Sequence, residues 1–230
     1  MGLAFFMWGS GMCGRFAITL PDQAMANVFD AAPSNDLPDT PNYNVCPTNT
    51  VHVVVSAEAR RIVPMRWGFI PHWYKVHNDG PLLINARSET IAEKPAFREA
   101  CRERRCILPA TGFYEWTKSA EDARLPWYIS RADEQPIAFA GIWQEWGTGE
   151  DRMRTCAIVT CGANDPMKAI HHRMPVILTS DSFGLWLGEE GKGAARLMHA
   201  APDDALVWHR VDPKVNSNRA EGEDLIEPIA

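Results

Sequence analysis

Met12-Cys13-Gly14-Arg15-Phe16 follows an eleven-residue opening, MGLAFFMWGSG, that is unlike the rest of the chain. If synthesis begins at Met12, trimming of that methionine before a small residue leaves Cys13 at the N-terminus. Cys13 then carries a free α-amine and a thiol on adjacent carbons. No internal cysteine offers that pair, because its nitrogen is tied up in an amide. The expected division is therefore a leader over 1–11, non-native or cleaved, and one domain over 12–230.

The rest of the composition narrows the setting. A chain of 230 residues can bury a full core as a single domain. Nine tryptophans offer packing surface or stacking platforms. A net charge of −6 gives no overall attraction to nucleic acid, so binding of that kind needs a local basic groove. The six cysteines form no C-x-x-C pair and lack the partners of a zinc site, so no metal and no cofactor is expected. Scattered cysteines point to a reducing, cytoplasmic setting. The apolar run over 3–8 is shorter than a signal peptide's apolar region or a membrane span, so no membrane partner is expected.

Hydrophobic patterning beyond the leader predicts many short strands and few helices. Strands are expected over 51–56, 61–65, 107–109, 113–116, 127–130, 137–143, 156–160, 175–179 and 206–211. Helices are expected from 21 to 29 and from 95 to 104, with shorter helical patterns near 165–170, 182–187 and 194–199. That mixture predicts an α+β fold with a mixed, curled or barrel-like sheet. The polar tail after Asp212 is expected to lie along the surface.

Three further stretches carry polar groups inside apolar surroundings. In Leu82-Leu83-Ile84-Asn85-Ala86-Arg87-Ser88-Glu89, the plain reading is a strand entering a helix, with Asn85 or Ser88 capping and Arg87 paired to Glu89. In Gly112-Phe113-Tyr114-Glu115-Trp116, an acid between two aromatics is costly to bury unless it has a partner or a task; an edge facing water is the alternative. Ile170-His171-His172-Arg173-Met174-Pro175 has a His pair without helpful ligand spacing, and a solvent-facing turn is its plain reading.

Taken in order with MCGRF, Tyr43-Asn44-Val45-Cys46-Pro47-Thr48, Met65-Arg66-Trp67-Gly68-Phe69-Ile70-Pro71, and the tail pieces Val215-Asn216 and Leu225-Ile226-Glu227-Pro228, these stretches resemble the SRAP family (SOS response-associated peptidases, abasic-site processing proteins). The resemblance covers nearly everything from Met12 onward. Cys46, where the family commonly has Ala, and the leader are the departures, and the leader blocks the amine of Cys13.

The resemblance implies the SRAP fold and covalent capture of abasic sites in single-stranded DNA, as part of the response to DNA damage, by a cytoplasmic monomer that is nucleoid-associated when bound to DNA. An abasic sugar exposes an aldehyde only in its open form; a 1,2-aminothiol forms an imine with it and the thiol closes a thiazolidine. With an amine pKa of about 7.7–8.0, roughly a tenth or more of the amine is neutral at pH 7. The catalytic set implied is Cys13, Asn85, Glu115 and His171: His171 for opening the sugar, Glu115 for proton exchange around the imine, Asn85 for holding the amine or a sugar hydroxyl. Arg15, Arg87, Arg98 and Arg173 are the phosphate candidates. Trp73 and Trp116 are candidates for stacking on bases, with core packing as the alternative. Arg102 and Arg104, interleaved with acids, read as a solvated helix face. Two other readings stay open on the residues alone: an N-terminal-Cys (auto)peptidase, which could release its own leader, and a non-catalytic single-strand DNA-binding module.

Overall fold

β-Branched and aromatic residues concentrate in short runs, and these runs pair into two sheets in the computed structural model, which describes residues 13–229. The first strands are β1 (Phe16–Ile18), β2 (Ala32–Pro33), β3 (Asn42–Val45), β4 (Thr50–Ser56), β5 (Arg60–Trp67) and β6 (Asn85–Arg87). There follow β7 (Arg105–Ala110), β8 (Gly112–Lys118), β9 (Arg124–Arg131), β10 (Ile137–Trp146), β11 (Met153–Gly162), β12 (Arg173–Pro175) and β13 (Leu206–Arg210). Three short α-helices, α1 (Asp22–Phe29), α2 (Arg98–Glu103) and α3 (Phe183–Leu187), complete the α+β fold.

The larger sheet closes. β4 pairs with β5, β5 runs parallel to β11, β11 pairs with β10, β10 with β7, and β7 returns to β4. Beyond the end of β5, the short β6 takes its place beside β11. β12 lies on the other side of β11. The expected barrel-like sheet is therefore present as a five-strand ring. Its wall is built from buried side chains such as Val53, Met65, Leu108, Phe139 and Ile158.

The smaller sheet has the order β13-β9-β8-β1-β3. It packs on the ring through aromatic contacts: Phe16 lies 5.1 Å from Trp67 and 6.0 Å from Phe139, and Phe113 lies 5.9 Å from Phe139, between ring centroids. After the bend at Thr111, β8 begins at Gly112, where a Cβ would come within 2.7 Å of the Ile129 carbonyl. Only glycine allows that approach, which fixes the start of the 112–116 motif.

Most expected strands are present with longer bounds, and three expectations change. The helix expected over 95–104 shrinks to α2, because 88–97 is spent on turns. The strand expected over 175–179 begins earlier, as β12; after Pro175 the chain steps from β11 to β10, with the Val176 N–H on the Val159 carbonyl and the Leu178 N–H on the Ala138 carbonyl. The tail is not simply laid on the surface. Val215 and Leu225 are buried with Tyr114, Tyr128, Ala17 and Val211 in a second, smaller core on the outer face of the five-stranded sheet.

Candidate active site

β1 and β8 pair antiparallel with Phe16 opposite Phe113 and Ala17 opposite Gly112, and the Tyr114 N–H bonds the Arg15 carbonyl. Continued toward the N-terminus, that register sets Gly14 opposite Glu115, with Cys13 one residue further on. The backbone N–H of Cys13 donates to Glu115 Oε1 at 2.6 Å, and both residues are buried. Burial pushes the Glu115 carboxyl up to about 8, against the opposing pull of the Cys13 and Trp116 N–H groups and the Arg124 charge. Burial, and then the neighbouring Glu115, hold the Cys13 thiol well above the usual thiol range, so its proton stays on sulfur at neutral pH. Cys13 also sits at φ +48°, in the left-handed region that side chains avoid.

A second group is assembled around β11. Asn85 and Arg87 on β6 lie opposite Ile158 and Thr160, while Arg173 on β12 lies opposite Gly162. The Arg173 guanidinium grips both Glu89 oxygens, at 2.8 and 2.9 Å, and reaches the Thr160 carbonyl at 2.7 Å. That hydrogen bond holds the Glu89 carboxyl below its ordinary range. Glu89 thus pairs with Arg173 rather than with Arg87, and Arg87 is exposed. His171 is half-buried and stacks on His172 with 4.4 Å between rings. Its Nδ1 accepts the Arg173 backbone N–H at 3.1 Å, which leaves Nε2 to carry the proton of the neutral ring. Burial, with the neighbouring His172, lowers its pKa, so the neutral ring dominates at pH 7.

The two groups are mechanically joined. Phe16, three residues after Cys13, packs on Trp67, and the Trp67 indole N–H donates to the Ile84 carbonyl at 3.1 Å. Ile84 immediately precedes Asn85.

The remaining DNA-contact candidates divide. Trp73 is 48% exposed, on the segment between β5 and β6, and Arg98 is exposed at the start of α2. Arg102 is exposed, while Arg104 pairs with Glu99 at 2.9 Å. Arg15 and Trp116 both make packing contacts within the chain. Strand alternation turns both toward the outer face, away from Phe16 and Glu115. Arg15 is 4% exposed, and its Nη1 donates to Asn44 Oδ1 at 2.6 Å and to the Val215 carbonyl at 3.0 Å. Trp116 donates to Asn216 Oδ1 at 2.6 Å and lies under the Arg124 guanidinium, 4.7 Å away.

Sequence reasoning missed Arg124, Thr160 and the partner of Glu89. Arg124 follows a polar loop and has no local pattern to mark it; Glu89 was marked by its motif, but its partner lies 84 residues away. Among the described residues, no group of three or more His, Cys, Asp or Glu side chains could hold a metal ion. No helix among them is long and apolar enough to cross a membrane.

With this geometry in place, the sequence profile of the SOS response associated peptidase (SRAP) family matches residues 12–218. The chain belongs to this family. It is 34% identical over 224 residues to the abasic site processing protein YoqW of Bacillus subtilis (strain 168), covering 94% of this chain and 99% of the relative. It is 32% identical over 227 residues to the abasic site processing protein YedK of Escherichia coli (strain K12), covering 95% and 100%. A 29% identical match to the abasic site processing protein HMCES of Rattus norvegicus covers 94% of this chain and 76% of that one. The fold also matches a crystal structure of a protein from Bacteroides thetaiotaomicron, with TM-score 0.83 at 24% identity over 95% of this chain and all of that one. The SRAP fold expected from the motifs is thus the fold observed.

Proposed function

We propose that this SRAP protein processes abasic sites by capturing them, in single-stranded DNA, on the N-terminal amine and thiol of Cys13. The observation that carries the reading is the 2.6 Å contact between the Cys13 nitrogen and a buried carboxyl whose pKa lies near neutrality. Once Cys13 is the first residue, Glu115 can take a proton from the ammonium and leave a neutral amine. The amine attacks the open aldehyde. Glu115 returns the proton to the carbinolamine hydroxyl, which leaves as water and gives the imine. The Cys13 sulfur then adds to the imine carbon, and its proton passes to the nitrogen to complete the thiazolidine. A thiol held protonated by burial suits this order, amine first and sulfur second.

His171 donates from Nε2 as the sugar ring opens. Asn85 holds the sugar hydroxyl or the amine beside β11, and Arg87 and Arg173 take the flanking phosphates. Arg173 starts from a two-oxygen pair with Glu89, so a phosphate must replace that carboxylate. Arg98 and Trp73 extend the contact along the strand, Trp73 by stacking. The direct test is incubation of protein bearing a free Cys13 amine with an abasic oligonucleotide, followed by denaturing electrophoresis. A heat-stable adduct that a Cys13→Ala variant does not form supports the reading; wild-type protein that leaves only reversible complexes ends it.

Peptidase chemistry belongs to the same site as an earlier step. In the uncut chain Cys13 is held in left-handed backbone, which costs on the order of 1 kcal/mol. Hydrolysis of the Met12–Cys13 bond frees that φ to relax, because no preceding peptide unit then defines it. Glu115, titrating near pH 8, is placed to move the proton that cleavage needs. Intact mass before and after a Glu115→Gln change tests this: retention of 1–12 only in the variant is the expected result.

A further inference from the structure

The tail motif Val215-Asn216 has no part in the chemistry above, yet it touches Arg15, two residues from Cys13, and Trp116, next to Glu115. We propose that the turn Pro213–Asn216 is a positioning element for the Cys13–Glu115 contact, with Asn216 as its positioning residue. The proposal rests on the capture reading and deepens it.

The argument is geometric. Arg15 is two residues from Cys13, and Trp116 adjoins Glu115. Both side chains leave the outer face of the β1–β8 pair, and the same turn holds both. The Val215 carbonyl accepts from Arg15 Nη1 at 3.0 Å, and Asn216 Oδ1 accepts from Trp116 Nε1 at 2.6 Å. Asn216 Nδ2 donates to the Arg124 carbonyl at 3.3 Å, tying the turn to β9 as well. The turn is itself fixed at its start by Asp212, whose Oδ1 accepts the Lys214 N–H at 2.8 Å. Cys13 lies beyond the end of β1 and the last ladder bond before it is the Tyr114 N–H on the Arg15 carbonyl, so the ladder alone does not fix it against Glu115. Gripping the outward side chains from behind fixes what the inward face presents. A misplacement of reacting atoms of about 1 Å is worth up to 10²-fold in rate.

The test compares Asn216→Leu, Asn216→Asp and Trp116→Phe in protein bearing a free Cys13 amine. The readout is the single-turnover rate constant at saturating abasic oligonucleotide, which is independent of the fraction folded. Asn216→Leu should slow capture about tenfold. Asn216→Asp, which keeps the acceptor for Trp116 and loses only the longer bond to the Arg124 carbonyl, should recover most of the rate, with Kd for undamaged single strands unchanged in both. Combining Asn216→Leu with Trp116→Phe, which removes the indole donor, should slow capture no further than the slower single variant. An unchanged rate constant with only a lower reaction amplitude or Tm overturns the proposal, as does Asn216→Asp as slow as Asn216→Leu. Borohydride trapping of a small open aldehyde on the Cys13 amine repeats the comparison without DNA. If wild-type protein captures neither aldehyde nor abasic DNA, the capture reading has failed; if it captures and the variants match it, only the positioning role has.

Discussion

Cys13 and Glu115 meet in a buried corner of the five-stranded sheet, whereas Asn85, Arg87, His171 and Arg173 occupy half-exposed or exposed positions around barrel strand β11. In the first region burial dominates: it raises both titrating groups, and the Cys13–Glu115 contact is short. In the second, ion pairing and partial burial act together: Arg173 is paired with Glu89, and the pKa of His171 is lowered by partial burial and by the neighbouring His172. The difference teaches a division of labour. Proton exchange at nitrogen benefits from exclusion of water, while phosphate and sugar must arrive from water and need groups that remain accessible.

Several substitutions break or sharpen this contrast, and the largest effect belongs to the buried corner. Cys13→Ala should abolish the heat-stable adduct, while borohydride still traps some imine because the amine survives. Binding to single-stranded DNA, measured by fluorescence anisotropy, should stay within about twofold, since the proposed phosphate contacts lie in the other region. A heat-stable adduct from Cys13→Ala without reductant would rule out ring closure through sulfur.

Next comes the separation of proton steps. In protein produced with a free Cys13 amine, Glu115→Gln should slow capture of both an abasic site and a simple open aldehyde, by about 10²–10⁴-fold in single-turnover rate. His171→Ala should slow only the abasic site, because the open aldehyde needs no ring opening. Equal slowing of both substrates by His171→Ala would move that residue from chemistry to phosphate or structure.

Smaller effects belong to binding. With a net charge of −6, attraction to DNA must come from a few local guanidinium groups. Arg87→Glu and Arg173→Glu should weaken binding and reduce the salt slope by about 0.7 per lost phosphate contact, whereas Arg102→Glu should leave both unchanged. Equal sensitivity at all three would contradict a local groove.

The smallest effect concerns stability and applies to the uncut chain. Glu115 has its pKa raised to about 8 from an ordinary 4.5. Between those values the folded chain therefore binds more protons than the unfolded one, so stability is full at the acidic end and declines as pH rises toward 8. Thermal melts of uncut protein should show Tm falling over that window, and Glu115→Gln should remove the decline. After cleavage, an ammonium beside Glu115 favours the carboxylate, and the decline should shrink in wild type too.

The sequence made the chemistry of single residues readable and their company much less so. A glutamate flanked by Tyr114 and Trp116 demands a partner or a task, but the Cys13 nitrogen as that partner was not readable. Alternating apolar runs at 51–56 and 137–143 announced strands of the barrel. Its closure was not announced, because the parallel pairing of Arg66 and Trp67 with Thr155 and Cys156 joins residues far apart in the chain. The packing contacts of Arg15 and Trp116 were not legible for a related reason. One residue of strand register decides which face a side chain takes, and local pattern does not fix that register for a three-residue strand such as β1. The tail looked like surface because its apolar residues are sparse, yet Val215 and Leu225 each fill a place beneath an aromatic sheet face.

The central claim is that Cys13 reacts as an N-terminal aminothiol, and intact mass spectrometry of the denatured adduct tests it most directly. Protein purified from native cells and reacted with an abasic oligonucleotide should give the mass of the chain from Cys13 onward plus the oligonucleotide, less one water. A stable adduct whose protein portion still carries residues 1–12 would contradict the account, because an acylated Cys13 nitrogen can form neither the imine nor the ring.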